Sequence, residues 1–128
     1  MTQSDKDLLL KDLCARLPYG VKLHCVSNVI TCIGPYTLNT IVLDRFCNEN
    51  TEYVPFDEVK PYLFPLSSMT EEQKEEYVDL QQRVIYNGKG PVNLDVMKYI
   101  DWCYKHHIDI NNLIPMGLAN DATGLNIY

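Results

Sequence analysis

The sequence predicts an α+β domain: an N-terminal helix, a small curled antiparallel sheet of about four strands, two further helices and a short C-terminal helical turn. Three observations carry this. Apolar residues recur at helical spacing near the start, alternate or run in short blocks between residues 21 and 56, and return to helical spacing after Thr70. With 128 residues, 46% hydrophobic and 22% charged, the chain fits a single domain over residues 1–128. A domain of this size buries roughly two thirds of the surface its unfolded chain exposes.

Taken in order, Ser4 is placed to cap the first helix, with Asp5 and Asp7 near its positive end. Leu9, Leu10, Leu13, Cys14 and Leu17 then form one apolar stripe, and Pro18 ends it. In "VKLHCV", Val21, Leu23 and Cys25 alternate with Lys22, His24 and Val26, and a turn at Ser27 and Asn28 leads into "VITCI". Gly34 and Pro35 break that second strand. "TIVLDRF" supplies a third, and "EYVPF" a fourth whose Pro55 suits a sheet edge. "KPYLFPLSS" reads as an extended connector between prolines 61 and 65 that still buries apolar side chains.

Thr70 and Gln73 have capping-box spacing, so a second helix starts there, with Tyr77, Leu80, Val84 and Ile85 on its buried face and Asn87-Gly88 as its stop. The acidic residues Glu71, Glu72, Glu75 and Glu76 read as a solvated, dipole-favoured N-terminal turn rather than a cation site. Asn93 is placed to cap the third helix, and Asn112 to cap a short turn through "LIPMGLA".

Charge and cysteine usage exclude several function classes. The formal net charge is -6 and the eleven Lys and Arg are scattered, so a nucleic acid would meet a field of the wrong sign. No apolar run has membrane-spanning length, and the polar start "MTQSDKD" is unlike a secretory signal, which predicts a soluble cytoplasmic protein. Five cysteines without a CxxC pair argue for buried free thiols over a disulfide framework. A homo-oligomer stays open, since an isologous dimer needs only one self-complementary patch.

The stretch "DWCYKHHIDI", from Asp101 to Ile110, gathers a thiol, two imidazoles and two carboxylates. At about 100° per residue it divides. Cys103 and His107 fall with Val96 and Ile100 on the apolar arc, flanked by Met97, Tyr99 and Tyr104; Lys98, Asp101 and Lys105 face outward, and His106 lies beside Trp102. The two imidazoles diverge. Cys103 and His107 offer two zinc ligands, but His24, Cys14, Cys25, Cys32 and Cys47 lack the paired spacing that completes such sites. A catalytic thiol needs exposure and a positive setting, not an apolar stripe. A histidine that caps carbonyls at the helix end, favoured there as a cation, is the simpler reading of His107. "NGKGP" lacks the spacing of a phosphate loop. The residues therefore predict no enzyme, no metal and no cofactor. Asp109 reads as the start of a turn.

Aromatic side chains are the remaining functional hint. Trp102, His106, Tyr62 and Phe64 are the candidate binding residues, because amphipathic rings suit both protein interfaces and ligand stacking.

Three stretches, "LPYGVK", "KPYLFPLSSMTEEQKEEY" and "DWCYKHHIDINNLIPMGLA", taken in this order resemble a family of small uncharacterised proteins encoded by gut Bacteroidales and by their phages and prophages. The chain differs from that pattern at Phe64, where the family has Arg, at Cys103, where it has Leu, and at His106, where histidine is not usual. A position that accepts leucine is a packing position, in keeping with the helical placement of Cys103. The resemblance implies a cytosolic accessory protein of a mobile element and no particular reaction. Together with the acidic charge it leads to the expectation of a non-enzymatic interaction protein that binds a host or phage protein. The alternative is a protein that binds or sequesters a nucleotide-like small molecule, with bases stacked on aromatics and phosphates met by Arg16, Lys22 or Arg45. A metal-dependent enzyme ranks third.

Overall fold

The computed structural model describes residues 2–24, 30–35, 40–45, 52–87 and 94–128. Helix α1, Gln3–Arg16, is capped by Thr2 and not by Ser4. The Thr2 hydroxyl accepts the Asp5 N–H at 3.1 Å, and the Asp5 carboxylate accepts the Thr2 N–H at 3.1 Å. This reciprocal pair starts the helix two residues earlier than Ser4 would. Its buried face also differs from the expected stripe. Leu9 and Leu13 are buried as anticipated, but Asp12 and Arg16 are buried beside them while Cys14 is exposed. A 3-10 turn over Leu17–Tyr19 follows, and Gly20, at φ 73°, closes it in the left-handed region that glycine enters without cost.

The sheet has three strands, β1 (Ile30–Pro35), β2 (Thr40–Arg45) and β3 (Glu52–Pro55), in the antiparallel order β1-β2-β3. Central β2 buries Ile41 and Leu43, and Pro55 sits at the end of an edge strand, where its missing N–H costs no ladder bond. The expected first strand pairs elsewhere over its described residues. Residues 21–24 do alternate, with Val21 and Leu23 buried and Lys22 and His24 exposed. They run antiparallel to the connector: Tyr62 N–H donates to Lys22 C=O at 2.9 Å and His24 N–H to Lys60 C=O at 3.1 Å. Cys25, Val26 and the turn at Ser27 and Asn28 lie outside the described residues.

The connector is a hub. Its strand β4, Tyr62–Leu63, pairs in parallel with β5, Asn120–Asp121, and the adjacent Phe64 exchanges bonds with residues 107 and 109. Three separate segments thus hang from one short extended stretch, whose Pro61 and Leu63 are buried.

Helix α2, Glu71–Asn87, carries the expected capping box: Gln73 N–H to Thr70 Oγ1 at 3.2 Å, and Thr70 N–H to Gln73 Oε1 at 3.1 Å. Helix α3, Leu94–Lys105, packs against it. Asn93 and Gly88 lie outside the described residues. On α3 the outward face is Lys98, Asp101 and Lys105 and the inward one is centred on Cys103, as the spacing requires, but Met97 is exposed.

The helix stops before His107. His107 N–H bonds to Tyr104 C=O at 3.1 Å and Ile108 N–H to Cys103 C=O at 2.9 Å, the two bonds of a Schellman ending, with His107 at φ 58° in the position usually given to glycine. The next turn is opened by Asp109, not Asn112: its carboxylate accepts Leu113 N–H at 2.8 Å and Ile114 N–H at 2.9 Å. Asn112 stands at φ 61° inside that turn. Leu9, Leu13, Val21, Ile41, Leu63 and Leu113 meet in one core. Among the described residues no helix is long and apolar enough to cross a membrane.

Candidate functional site

Trp102 and His106, one turn apart near the end of α3, have ring centroids 4.6 Å apart. The indole N–H donates to the Glu76 carboxylate of α2 at 2.8 Å, and Tyr77 lies 6.1 Å from the Trp102 ring. Behind them the Tyr77 and Tyr99 hydroxyls meet at 3.0 Å, and Gln81 Nε2 donates to Tyr77 at 3.1 Å. Burial and the Tyr77 hydrogen bond raise the Tyr99 phenol well above its ordinary range, so this network stays neutral. Trp102 is thereby held at a fixed angle while remaining partly open to solvent.

Phe64 lines a hollow of about 240 Å³ with Ser68, Thr70, Gln73 and Ile108. Tyr62 belongs to another place. Its hydroxyl is 2.9 Å from His24 Nδ1, and both side chains line a groove of about 650 Å³ with Asp57, Glu58, Lys60 and Asp121. The predicted residues therefore divide: Trp102 and His106 share one ring contact, Phe64 lines the hollow at the start of α2, and Tyr62 lines the groove with His24.

Two features were not anticipated from the sequence. The first is a buried ion pair. Arg16 Nε donates to Asp12 at 2.6 Å and Nη2 at 3.1 Å; Nη2 also reaches Ile108 C=O at 2.8 Å, and the guanidinium lies 4.8 Å from the Tyr104 ring centre. Asn111 Nδ2 completes the carboxylate at 2.7 Å. The i,i+4 spacing was visible, but such pairs are usually solvated. Arg16 is fully buried and so cannot meet a phosphate, which corrects that part of the nucleotide expectation. Lys22 Nζ donates to Ile127 C=O at 2.6 Å, and the side chain of Arg45 lies outside the description.

The second is the stack of His107 on Tyr128, with centroids 3.6 Å apart and planes at 14°. Burial first, then the positive charges of Arg16, His106 and Lys22, lowers His107 from 6.5 to about 4. It is a neutral imidazole, which corrects the expected cationic cap. Desolvation likewise pushes the Cys103 thiol up to about 11, the opposite of what a nucleophile needs. Among the described residues no group of three or more His, Cys, Asp and Glu side chains is arranged to hold a metal ion.

Compared with protein-family models, curated proteins and solved structures, the chain gives no match.

Proposed function

We propose that this chain is a non-enzymatic, cytoplasmic interaction protein, an accessory of a phage or mobile element, which binds a host or phage protein through the acidic and aromatic side of α2 and α3. The observation that carries the reading is Trp102. An indole tied by Glu76 and stacked on His106 has already lost the rotamer freedom that binding would otherwise remove, and tryptophan is among the residues most enriched at interface hot spots. Beside it on α2, one turn either way from Glu76, Glu72 and Asp79 are exposed as well. A partner with a basic rim and an apolar pocket fits this face.

The test is capture from host lysate by wild type and by Trp102→Ala side by side. A hot-spot truncation costs about 2 kcal/mol or more, roughly thirtyfold in affinity, so the specific band should be retained by wild type and lost from the variant. Equal retention by both removes Trp102 from the reading, and no specific retention over several salt conditions removes the reading itself.

The second reading is a small-molecule binder, supported by the groove beside His24 and Tyr62, whose volume lies in the range of ligand sites. Its carboxylates Asp57, Glu58 and Asp121 outnumber Lys60 and turn this reading away from phosphates toward amines and polyols. A thermal-shift panel of nucleotides, amines and sugars decides it, and a flat response across the panel eliminates it.

A further inference from the structure

The Tyr128 hydroxyl stands inside a β-ladder. Lys22 and Tyr62 face each other as a hydrogen-bonded antiparallel pair, and such a pair normally exchanges two bonds. One is present, from Tyr62 N–H to Lys22 C=O at 2.9 Å. In place of the other, Lys22 N–H donates to Tyr128 Oη at 2.9 Å, and Tyr128 Oη donates onward to Tyr62 C=O at 2.8 Å. The phenol thus uses a backbone donor and a backbone acceptor at once. Its ring is sandwiched by the flat His107 stack at 3.6 Å, with Phe64 at 6.0 Å and the Lys22 ammonium at 5.8 Å.

Every group that recognises the ring comes from residues 22, 62, 64 and 107, and none from the segment that carries it. The slot's chemistry therefore persists when that segment leaves. Behind it, two buried polar atoms, Arg16 Nη1 and His107 Nδ1, have no hydrogen-bond partner among the described residues, which marks this as a polar recess and not a plain packing contact. His107 is also held at φ 58°, a conformation a histidine takes at a cost, and this turn is what lays its face against the ring. Between the buried Ala122 and the slot the carrying segment is on the surface: residues 123–126 are exposed, with left-handed Gly124 and Asn126, and Tyr128 itself is 41% exposed. Beyond Ala122 the bond that ties the segment to described residues before 120, apart from the ring's own, is Lys22 Nζ to Ile127 C=O at 2.6 Å.

We propose that this slot is a phenol-binding site, filled by the chain's own Tyr128 and open to exchange with a phenol supplied from outside, either a small molecule or a tyrosine side chain of another polypeptide. Tyr128 is then a built-in competitor. Because its tether spans only a few residues, its effective concentration is in the millimolar range, and an incoming phenol binds the intact chain more weakly than a chain without it, by about tenfold where the slot's own affinity for the tyrosine ring is about a tenth of that concentration.

The experiment is an NMR titration of Tyr128→Ala and of the intact chain, following the Lys22 amide and the His107 ring with p-cresol, toluene and the peptide Thr-Gly-Leu-Asn-Ile-Tyr. Expected is saturable binding of p-cresol to the variant, about tenfold tighter than to the intact chain, with toluene weaker by a similar factor because it leaves both ladder groups unpaired. Peptide binding tighter than p-cresol identifies a polypeptide tyrosine as the source, and p-cresol binding alone identifies a small phenol; both uphold the site. A folded variant that shows no saturable shift, or that binds toluene as well as p-cresol, overturns it. Should Tyr128→Ala fail to fold, the intact chain decides: a Lys22 amide indifferent to excess p-cresol and excess peptide alike overturns the proposal.

Discussion

Replacing Asp12 by Ala strands a charge in the core. The carboxylate accepts three hydrogen bonds, at 2.6 and 3.1 Å from Arg16 and at 2.7 Å from Asn111, and both members of the ion pair are fully buried. After the change the guanidinium keeps the Ile108 carbonyl at 2.8 Å and the Tyr104 ring face. Breaking a buried pair from one side costs about 3–5 kcal/mol, because the surviving charge stays desolvated. Alanine returns roughly 0.5 kcal/mol of helix propensity. The net loss of about 3–4 kcal/mol is a large part of a typical stability of about 5–15 kcal/mol. Urea unfolding followed by far-UV circular dichroism measures it. The paired variant Asp12→Leu with Arg16→Met removes both charges and should recover most of the loss, since apolar replacement of a buried pair is often neutral or better. A cost below about 1 kcal/mol for Asp12→Ala would show that the pair behaves as a surface pair, and a double variant no more stable than the single would show that the penalty is not the stranded charge.

His107 gives a pH dependence of definite sign. Its pKa in the fold is about 4, against 6.5 for an ordinary histidine, so between these values the unfolded chain binds the proton that the folded chain refuses. The stability tied to the neutral imidazole is complete above pH 6.5 and is lost as pH falls toward 4. His107→Asn, which tolerates the left-handed backbone, should flatten that part of the stability profile; equal slopes in the two proteins refute the assignment. Exposed Cys14 should alkylate promptly with iodoacetamide, and buried Cys103, with its thiol at about 11, only on unfolding. Peptide mapping by mass spectrometry reads both, and early modification of Cys103 contradicts the buried setting.

Where a signal is local, sequence and structure agree. The Thr70 and Gln73 box forms because its partners are three residues apart on the same turn, and the outward face of α3 follows from helical geometry alone. Pro55 lies at an edge because it has no N–H to give. Even the division of "DWCYKHHIDI" survives: Trp102 meets His106, Cys103 and His107 are buried, and the imidazoles point apart. The alternation at residues 21–24 was equally legible, yet its partner was not. Alternation says which face is buried and nothing about which strand lies alongside, so the sequence points to a hairpin with its neighbour, whereas residues 22–24 pair with residues 60–62.

What the sequence by itself determined is the class of the domain, the helices, the capping box of α2 and the outward face of α3. The tertiary structure alone decided which of the candidate aromatics meet, setting Trp102 against His106 and leaving Phe64 and Tyr62 to line two separate hollows. It alone also buried Asp12 with Arg16, where the i,i+4 spacing gives no hint of depth, and set Tyr128 between Lys22 and Tyr62. The physical reason is range. Capping and amphipathic spacing act within a turn or two of the chain, whereas a hydroxyl that bridges residues 106 and 66 positions away depends on where three distant segments come to rest.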